Sequence, residues 1–270
     1  MTLYLGWQRL VVLVGYDAVK EALVDQADDF TARGPLPFLI KATRGYGVAI
    51  SNGERWRQLR RFTLTTLRDF GMGRKGMEEW IQEESQHLRA RIDTFKGGFS
   101  AAVLREIDTV IGQGRSPTME NRKSLPFTDA VIHEVQRFLD IVPFSLPHYA
   151  LHDISFRGYT IPKDTVIIPL LHSVLREEKQ WATPWTFNPK HFLDQNDKFK
   201  KNPAFMPFSA GKRACVGESL ARMELFIFLV SLLQNFTFSC TEGPDSINLL
   251  PEFSSFANLP RAYQIIGTPR

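Results

Sequence analysis

The sequence predicts a mainly α protein with a smaller β portion, an α+β fold. Three observations carry this. Residues 54–67, 78–94, 127–139 and 218–236 lack helix breakers and carry apolar residues at helical spacing or nearly throughout. Residues 9–14 and 154–169 are short apolar or alternating runs bounded by Gly, Pro and Asp, as strands are. With 270 residues, 43% hydrophobic and 23% charged, the chain has the material for a large core and not the composition of a disordered one.

Arg9 to Val14 reads as a strand that ends in a turn at Gly15, and Asp17 to Ala27 as a short helix with Asp17 at its N-cap. Residues 31–48 mix Gly, Pro and aromatic side chains without a period, which predicts an irregular segment of the kind where ligands are met. Asn52-Gly53 is a turn signal before a strongly basic helix over 54–67. Trp56 and Arg60 are four apart on it and share one face, while Arg57, Arg61 and Arg68 fall on a neighbouring stripe. An amphipathic helix over 78–94 precedes the Gly-containing patch 96–102, and helices follow over 103–111 and 127–139. The last carries Glu134 and Arg137 at i, i+3, with Pro143 as its expected stop. Short strands are expected within 154–169. Residues 181–208, rich in Pro, Asn, Lys and Phe, have no helical period, and a loop that long in a compact domain usually has a task. A tight turn over 211–217 leads into an apolar helix over 218–236, and strand-like pieces lie near 253–257 and 263–266.

The formal charge of +4 and pI near 9.1 suit an acidic protein partner, a membrane surface or a nucleic acid without choosing among them. No stripe of basic residues interleaved with aromatics supports a nucleic-acid reading. The two cysteines, Cys215 and Cys240, make no disulfide framework, are wrongly spaced for zinc, and suit a reducing compartment. By residue type alone either thiol is as readily a small buried apolar side chain. The longest apolar run, near 225–233, is far short of the ~20 residues of a membrane helix, so neither a spanning segment nor a leading anchor is expected.

The string Phe208-Ser209-Ala210-Gly211-Lys212-Arg213-Ala214-Cys215-Val216-Gly217 carries the chemistry. A metal-binding sulfur must be a thiolate, which needs local positive potential. Lys212, Arg213 and the dipole of the helix that follows supply it. Gly211 and Gly217 have no Cβ to obstruct a flat ligand, and Phe208 can shield the sulfur from water. This string resembles the haem-binding signature of the cytochrome P-450 superfamily, Phe-x-x-Gly-x-Arg-x-Cys-x-Gly, with all five fixed positions filled. Glu134-Val135-Gln136-Arg137 resembles the Glu-x-x-Arg of the helix beneath the haem. The segment 187–192 resembles the loop whose basic residue locks that pair, with His191 where many members have Arg. Trp56-Arg57-Gln58-Leu59-Arg60 resembles the helix that hydrogen-bonds a haem propionate. Stretches such as 128–134, 221–225, 51–53 and 67–73 resemble the microsomal family-2 members.

That resemblance implies haem (iron protoporphyrin IX) with Cys215 as axial ligand, and NADPH used indirectly through a flavoprotein reductase. It implies insertion of one oxygen atom from O2 into lipophilic substrates, xenobiotics and fatty acids such as arachidonic acid. Arg33, Trp56, Arg60, His148 and Arg213 are the implied propionate contacts. Ala49, Ile50, Val142, Leu146 and Phe256 are implied to face substrate, although as apolar residues they serve equally as core. Arg57, Arg61, Arg68, Lys212 and Arg222 would form the basic face that docks the reductase, an ordinary solvated face being the alternative. The implied location is the cytoplasmic face of the endoplasmic reticulum membrane, or the cytoplasm for a chain without an anchor.

The pattern also departs from the family. Residues 1–96 resemble its first strands and early basic helices, and 103–270 its haem-binding core, so 97–102 reads as the seam of an internal deletion within one interrupted domain. The distal helix and its Ala/Gly-Gly-x-Asp/Glu-Thr pattern would lie between. Gly97-Gly98-Phe99-Ser100 has neither the acid nor the threonine, so no distal catalytic pair is expected. The alternatives to a working oxygenase are therefore a haem-binding or reductase-interacting form without turnover, and a chain that does not fold stably.

Overall fold

In the computed structural model, residues 1–35, 37–72, 75–92, 101–240, 250–254 and 257–270 are described; Phe256 and positions 97–100 of the expected seam lie outside them. Strand β1 (Thr2–Leu5) turns at Gly6 and pairs antiparallel with β2 (Gln8–Leu13). β2 runs parallel to β6 (Val166–Pro169), which pairs antiparallel with β3 (His148–Tyr149), in the order β1-β2-β6-β3. A parallel pair cannot close through a hairpin and needs a long crossover. Here the crossover holds most of the helices, and one sheet joins strands from both sides of 97–102.

Helix α1 (Tyr16–Lys20) continues as a π-helical turn over Glu21–Asp25. Its N-cap is Gly15, at φ 83°, and Asp17 sits in the first turn, which corrects the expected cap. A distant carboxylate does the capping: Tyr16 N–H donates to Glu177 Oε2 at 2.7 Å, and Gly15 N–H to Ser173 Oγ at 2.8 Å. The stretch expected to be irregular contains a short helix, α2 (Pro37–Thr43). The basic helix α3 (Gly53–Asp69) and then α4 (Lys75–Ile92) and α5 (Ala101–Val110) follow. α6 (Pro126–Leu139) is stopped by Asp140 in the left-handed region (φ 45°, ψ 58°), before the chain reaches Pro143. The hairpin β4 (Ile154–Phe156) and β5 (Tyr159–Ile161) precedes β6, and α7 (Leu171–Leu175) follows it. After the long loop and α8 (Glu218–Asn235), β7 (Phe236–Ser239) pairs with the terminal strand β10 (Ile266–Pro269), and β8 (Phe253–Ser254) with β9 (Asn258–Leu259). The last strand lies a few residues beyond the expected 263–266 because Phe236–Ser239 is its partner.

Two apolar clusters hold these elements. One joins the sheet to the long loop through Phe30, Ile167, Leu171, Trp181, Phe192 and Phe205. The other surrounds α8, where Phe226, Ile227, Val230 and Leu233 meet Ile81 of α4, Val103 and Ile107 of α5, and Val131 of α6. Each such side chain contributes about 1.5–3 kcal/mol by leaving water. α8 is apolar nearly all round because helices cover it on several sides. No helix among the described residues is long and apolar enough to cross a membrane.

The start of α6 depends on α5. α6 opens at Leu125 without a side-chain cap of its own. Glu106 of α5 supplies one, accepting from Phe127 N–H at 3.0 Å with Oε1 and from Thr128 N–H at 2.7 Å with Oε2. The Thr128 hydroxyl adds a bond of 2.6 Å to the same oxygen. A carboxylate there satisfies orphan N–H groups and meets the positive end of the helix dipole. Glu106→Ala is expected to lower stability by about 1–2 kcal/mol, read by urea denaturation. An unchanged midpoint would show that α6 starts without help from α5.

Candidate functional site

The loop before α8 is pinned by its own backbone. Cys215 N–H donates to Phe208 O at 3.0 Å and Ala214 N–H to Gly211 O at 3.1 Å, closing a 3-10 turn over Gly211–Arg213. The Cys215 side chain is left exposed at the mouth of α8. Gly211 has φ 68°, and a Cβ there would stand 1.7 Å from the Leu23 carbonyl oxygen. Its missing side chain therefore makes room for the π-helical turn beside it, a reason different from the approach of a flat ligand. A Cβ on Gly217 would meet Cys215 Sγ at 3.9 Å, an ordinary contact. The Phe208 ring lies 5.4 Å from the guanidinium of Arg222.

α3 delivers the next residues. Trp56 is buried, Arg60 extends over its ring at 5.8 Å, and Arg60 Nη1 donates to Ala214 O at 3.0 Å, which ties α3 to the residue before Cys215. Arg213 lies over the same indole at 4.0 Å. It donates to Thr31 O and Ser51 O at 2.7 Å each and to Asn52 Oδ1 at 3.1 Å. Arg33 is buried beside them, donating to Leu146 O and bridging to His148 across two short extended segments. Asn52, which the sequence marked only as a turn residue, organises this group. Its Oδ1 accepts from Arg33 N–H at 2.7 Å as well as from Arg213, and its Nδ2 donates to Arg33 O at 2.8 Å. Nothing local in the sequence announced that role, because its partners are far along the chain.

Three guanidiniums thus cluster, Arg33 and Arg213 buried and Arg60 half-buried, and among the described residues none of them forms a salt bridge with a carboxylate. Burial, then repulsion from Arg213 and Arg60, pulls the Arg33 guanidinium down to about 9. Burial, then Arg60, pulls Arg213 down to about 10. Burial lowers Arg60, against the opposing pull of Cys215. His148 Nδ1 faces Phe30 O, and burial followed by the Arg33 charge pushes its imidazole down to about 3. Nδ1 therefore carries the single proton of a neutral ring. Buried Arg33 Nε, Trp56 Nε1 and His148 Nε2 have no hydrogen-bond partner among the described residues. Buried polar atoms are normally paired. Two of the three, Arg33 Nε and Trp56 Nε1, are donors; beside uncompensated cations they form a cradle for an anion, and a carboxylate placed there would draw a proton onto His148 Nε2.

α6 carries a fully buried ion pair of its own. Arg137 Nε and Nη2 each meet Glu134 at 2.7 Å, and both side chains are 0% exposed. Arg137 also donates to Leu175 O and Pro184 O at 2.8 Å and to Thr186 O at 3.2 Å, so one guanidinium ties the end of α7 to the start of the long loop. Asn188 N–H donates to Glu134 Oε1 at 2.7 Å. His191 Nδ1 lies 3.2 Å from Glu134 Oε2 while its Nε2 accepts from Thr183 N–H at 3.1 Å, so Nδ1 bears the proton of a neutral ring. Burial opposes the charge on Glu134, but the hydrogen bonds from Arg137, His191 and Asn188 prevail and hold its carboxyl below the usual range.

Of the residues expected to face substrate, Ala49 is exposed, Ile50 is buried, Val142 and Leu146 are half-buried, and Phe256 lies outside the described residues. Arg213 Nη1 reaches Val48 O and Arg33 reaches Leu146 O, which places 48–50 and 146 around the cradle. Of the expected docking charges, Arg57 is exposed and pairs with Glu54 at 3.3 Å, Arg61 and Arg68 are exposed, and Lys212 pairs with Asp28. Arg222 does not belong with them. Its guanidinium turns inward to Glu218 (2.8 Å), His133 Nε2 (3.0 Å) and the rings of Phe205 and Phe208, leaving the side chain 16% exposed. A basic residue one turn into a helix reads as surface in sequence, and only the aromatic box beneath it reveals otherwise.

Comparison with known proteins accords with this site. The model of the family described as Cytochrome P450 matches residues 1–99 and 98–266. Cytochrome P450 2H1 of Gallus gallus is 34% identical over 423 residues, covering 100% of this chain and 86% of that protein. Cytochrome P450 2F2 of Rattus norvegicus is 34% identical over 420 residues, covering 98% and 86%. Cytochrome P450 2F1 of Homo sapiens is 33% identical over 425 residues, covering 100% and 87%. Each match is much longer than the 270 residues available to it, so these relatives carry a long internal segment with no counterpart here.

Proposed function

The chain belongs to the cytochrome P450 family, and from that membership we propose that it holds haem with Cys215 as axial ligand and acts as a haem-thiolate monooxygenase. The observation that carries the haem reading is the anion cradle: Arg33 Nε, Trp56 Nε1 and His148 Nε2 buried without partners, among guanidiniums without counter-ions. Two propionates are what such a cradle fits, and Arg60 joins it to the loop that presents the exposed sulfur. When bound, haem supplies the iron at which oxygen is activated, with a thiolate pushing electron density toward it. The chain's own residues do the rest. Arg33, Trp56, Arg60, His148 and Arg213 bind and orient the propionates. The bonds from Cys215 N–H to Phe208 and from Arg60 to Ala214 fix the height of the sulfur. The Glu134–Arg137–His191 group holds the long loop beneath.

In this reading the oxygen atom goes into a lipophilic substrate, a xenobiotic or a fatty acid such as arachidonic acid, beside Ala49, Ile50, Val142, Leu146 and Phe256. Electrons come from NADPH through a flavoprotein reductase that docks on Arg57, Arg61, Arg68 and Lys212. The working location is the cytoplasmic face of the endoplasmic reticulum membrane. One observation favours a second reading, haem binding without turnover. The family match breaks into two stretches near residue 98, and the segment between them in the relatives has no counterpart. The same break supports the seam at 97–102 between residues 1–96 and 103–270.

The test is the ferrous–carbonyl difference spectrum of the chain and of Cys215→Ser. The expected result is the red-shifted Soret band of a thiolate-ligated carbonyl, absent from the variant. The same band in both proteins would remove Cys215 from the site. With haem in place, NADPH consumption with added reductase and a fatty acid separates the readings: oxygenated product supports the oxygenase, and peroxide without product supports the second reading.

A further inference from the structure

α6 carries another buried polar residue directly before Glu134, with a separate set of partners. His133 is 4% exposed, boxed by the rings of Phe192, Phe199 and Phe205 at 5.3, 4.6 and 4.9 Å. Its Nε2 accepts from Arg222 Nη1 at 3.0 Å, so its one proton sits on Nδ1. Nδ1 lies 2.8 Å from Asp129 O and 3.2 Å from Asp129 Oδ1. Asp129 is held in turn by Arg122, whose Nε and Nη2 donate to Oδ1 at 2.9 and 2.7 Å. At the other end, Arg222 donates to Glu218 Oε1 at 2.9 and 2.8 Å and lies over Phe208, whose carbonyl accepts from Cys215 N–H. Arg122, Asp129, His133, Arg222 and Glu218 form one line, with two cations, two anions and a neutral imidazole between them.

The chemistry of the middle position is narrow. It must give a hydrogen bond to the Asp129 carbonyl, beside that residue's carboxylate, and take one from a guanidinium within an apolar box. Neutral imidazole does both across its two nitrogens, and a protonated one could not accept from Arg222. Arg222 and Glu218 stand in the first two turns of α8, directly after the cysteine. A line anchored in α6 therefore fixes where α8 begins and where the Phe208 ring lies, and both set the position of Cys215.

We propose that His133, acting through Arg222, is a positioning residue for the Cys215 thiolate, an inference that rests on the haem-thiolate reading. Breaking the line leaves the Arg222 Nη1 donor without its imidazole partner in a low-dielectric site, where such groups weigh heavily. The loop then samples positions in which sulfur no longer ligates as a thiolate.

The experiment compares His133→Phe, which fills the box without either hydrogen bond, with His133→Gln, which can make both, in a Cys240→Ser background. Haem-loaded protein is read by the share of the carbonyl complex in the red-shifted band. The expected result is a loss of about tenfold in the ratio of thiolate-ligated to other forms in the Phe variant, largely restored in the Gln variant. An unchanged ratio in His133→Phe, whatever its melting temperature, would overturn the proposal and leave the line a purely structural feature. If the parent chain takes up no haem, the haem reading fails by itself, and the line is judged on haem-free protein by the alkylation rate of Cys215 with iodoacetamide. A several-fold change in His133→Phe that His133→Gln reverses supports the line, and equal rates overturn it. If His133→Phe does not fold, His133→Asn, too short to span both partners, takes its place in the same comparisons.

Discussion

Gly211→Ala is expected to abolish the stable fold. The added Cβ would lie 1.7 Å from the Leu23 carbonyl oxygen and 2.7 Å from its carbon, both rigid backbone, so a helical turn or the cysteine loop must move. The backbone at φ 68° costs a residue with a Cβ about 1–2 kcal/mol by itself. Overpacking adds about 1–3 kcal/mol or more. The sum is comparable with a large part of the ~5–15 kcal/mol that holds a domain of this kind together. Thermal and urea denaturation of the haem-free chain would show either a lost cooperative transition or a large drop in midpoint. Melting within a degree or two of the parent, with haem uptake lost, would mean instead that the glycine serves the ligand and not the Leu23 contact.

Arg137→Leu is expected to cost about 3–5 kcal/mol, because breaking a buried pair leaves the other charge uncompensated. The carbonyls of Leu175 and Thr186 lose the Arg137 donor at the same time, and Pro184 O keeps only Arg176, so the damage reaches α7 and the start of the long loop. The pair also sets a pH dependence with a definite sign. The Glu134 carboxyl is depressed in the folded state, so the stability it confers is full above the ordinary carboxylate range. That stability is lost progressively as the pH falls below that range and through the folded value. Glu134→Gln keeps the shape and removes the titration, so its urea midpoint should fall less steeply than the parent's between about pH 5 and pH 3. Equal slopes for parent and Glu134→Gln would assign the acid sensitivity elsewhere, with Asp129, also depressed, the next group to test.

Much of this was legible in the sequence, and the reasons differ by element. α3, α4, α5, α6 and α8 were readable because helical periodicity or a long apolar run with no breaker is a local signal. β1 and β3 were not anticipated: β1 is a short exposed strand, and β3 is two residues long and exists because β6 lies beside it. The ends were read least well, since Glu177 rather than Asp17 caps α1 and Asp140 rather than Pro143 stops α6.

The sequence by itself determined the motif of the cysteine loop, the α+β class, the order of the landmarks and the identity of the cationic residues, because each is written in residues close together or in a spaced motif. Only the tertiary structure decided how those residues act. It showed that Gly211 yields to Leu23, that Asn52 ties Arg33 to Arg213, that Arg222 faces His133 and not solvent, and that three buried nitrogens, two of them donors, stand unpaired around one place. Each of these joins groups far apart along the chain. Hydrogen bonding and desolvation act through distance in space, which local pattern does not encode.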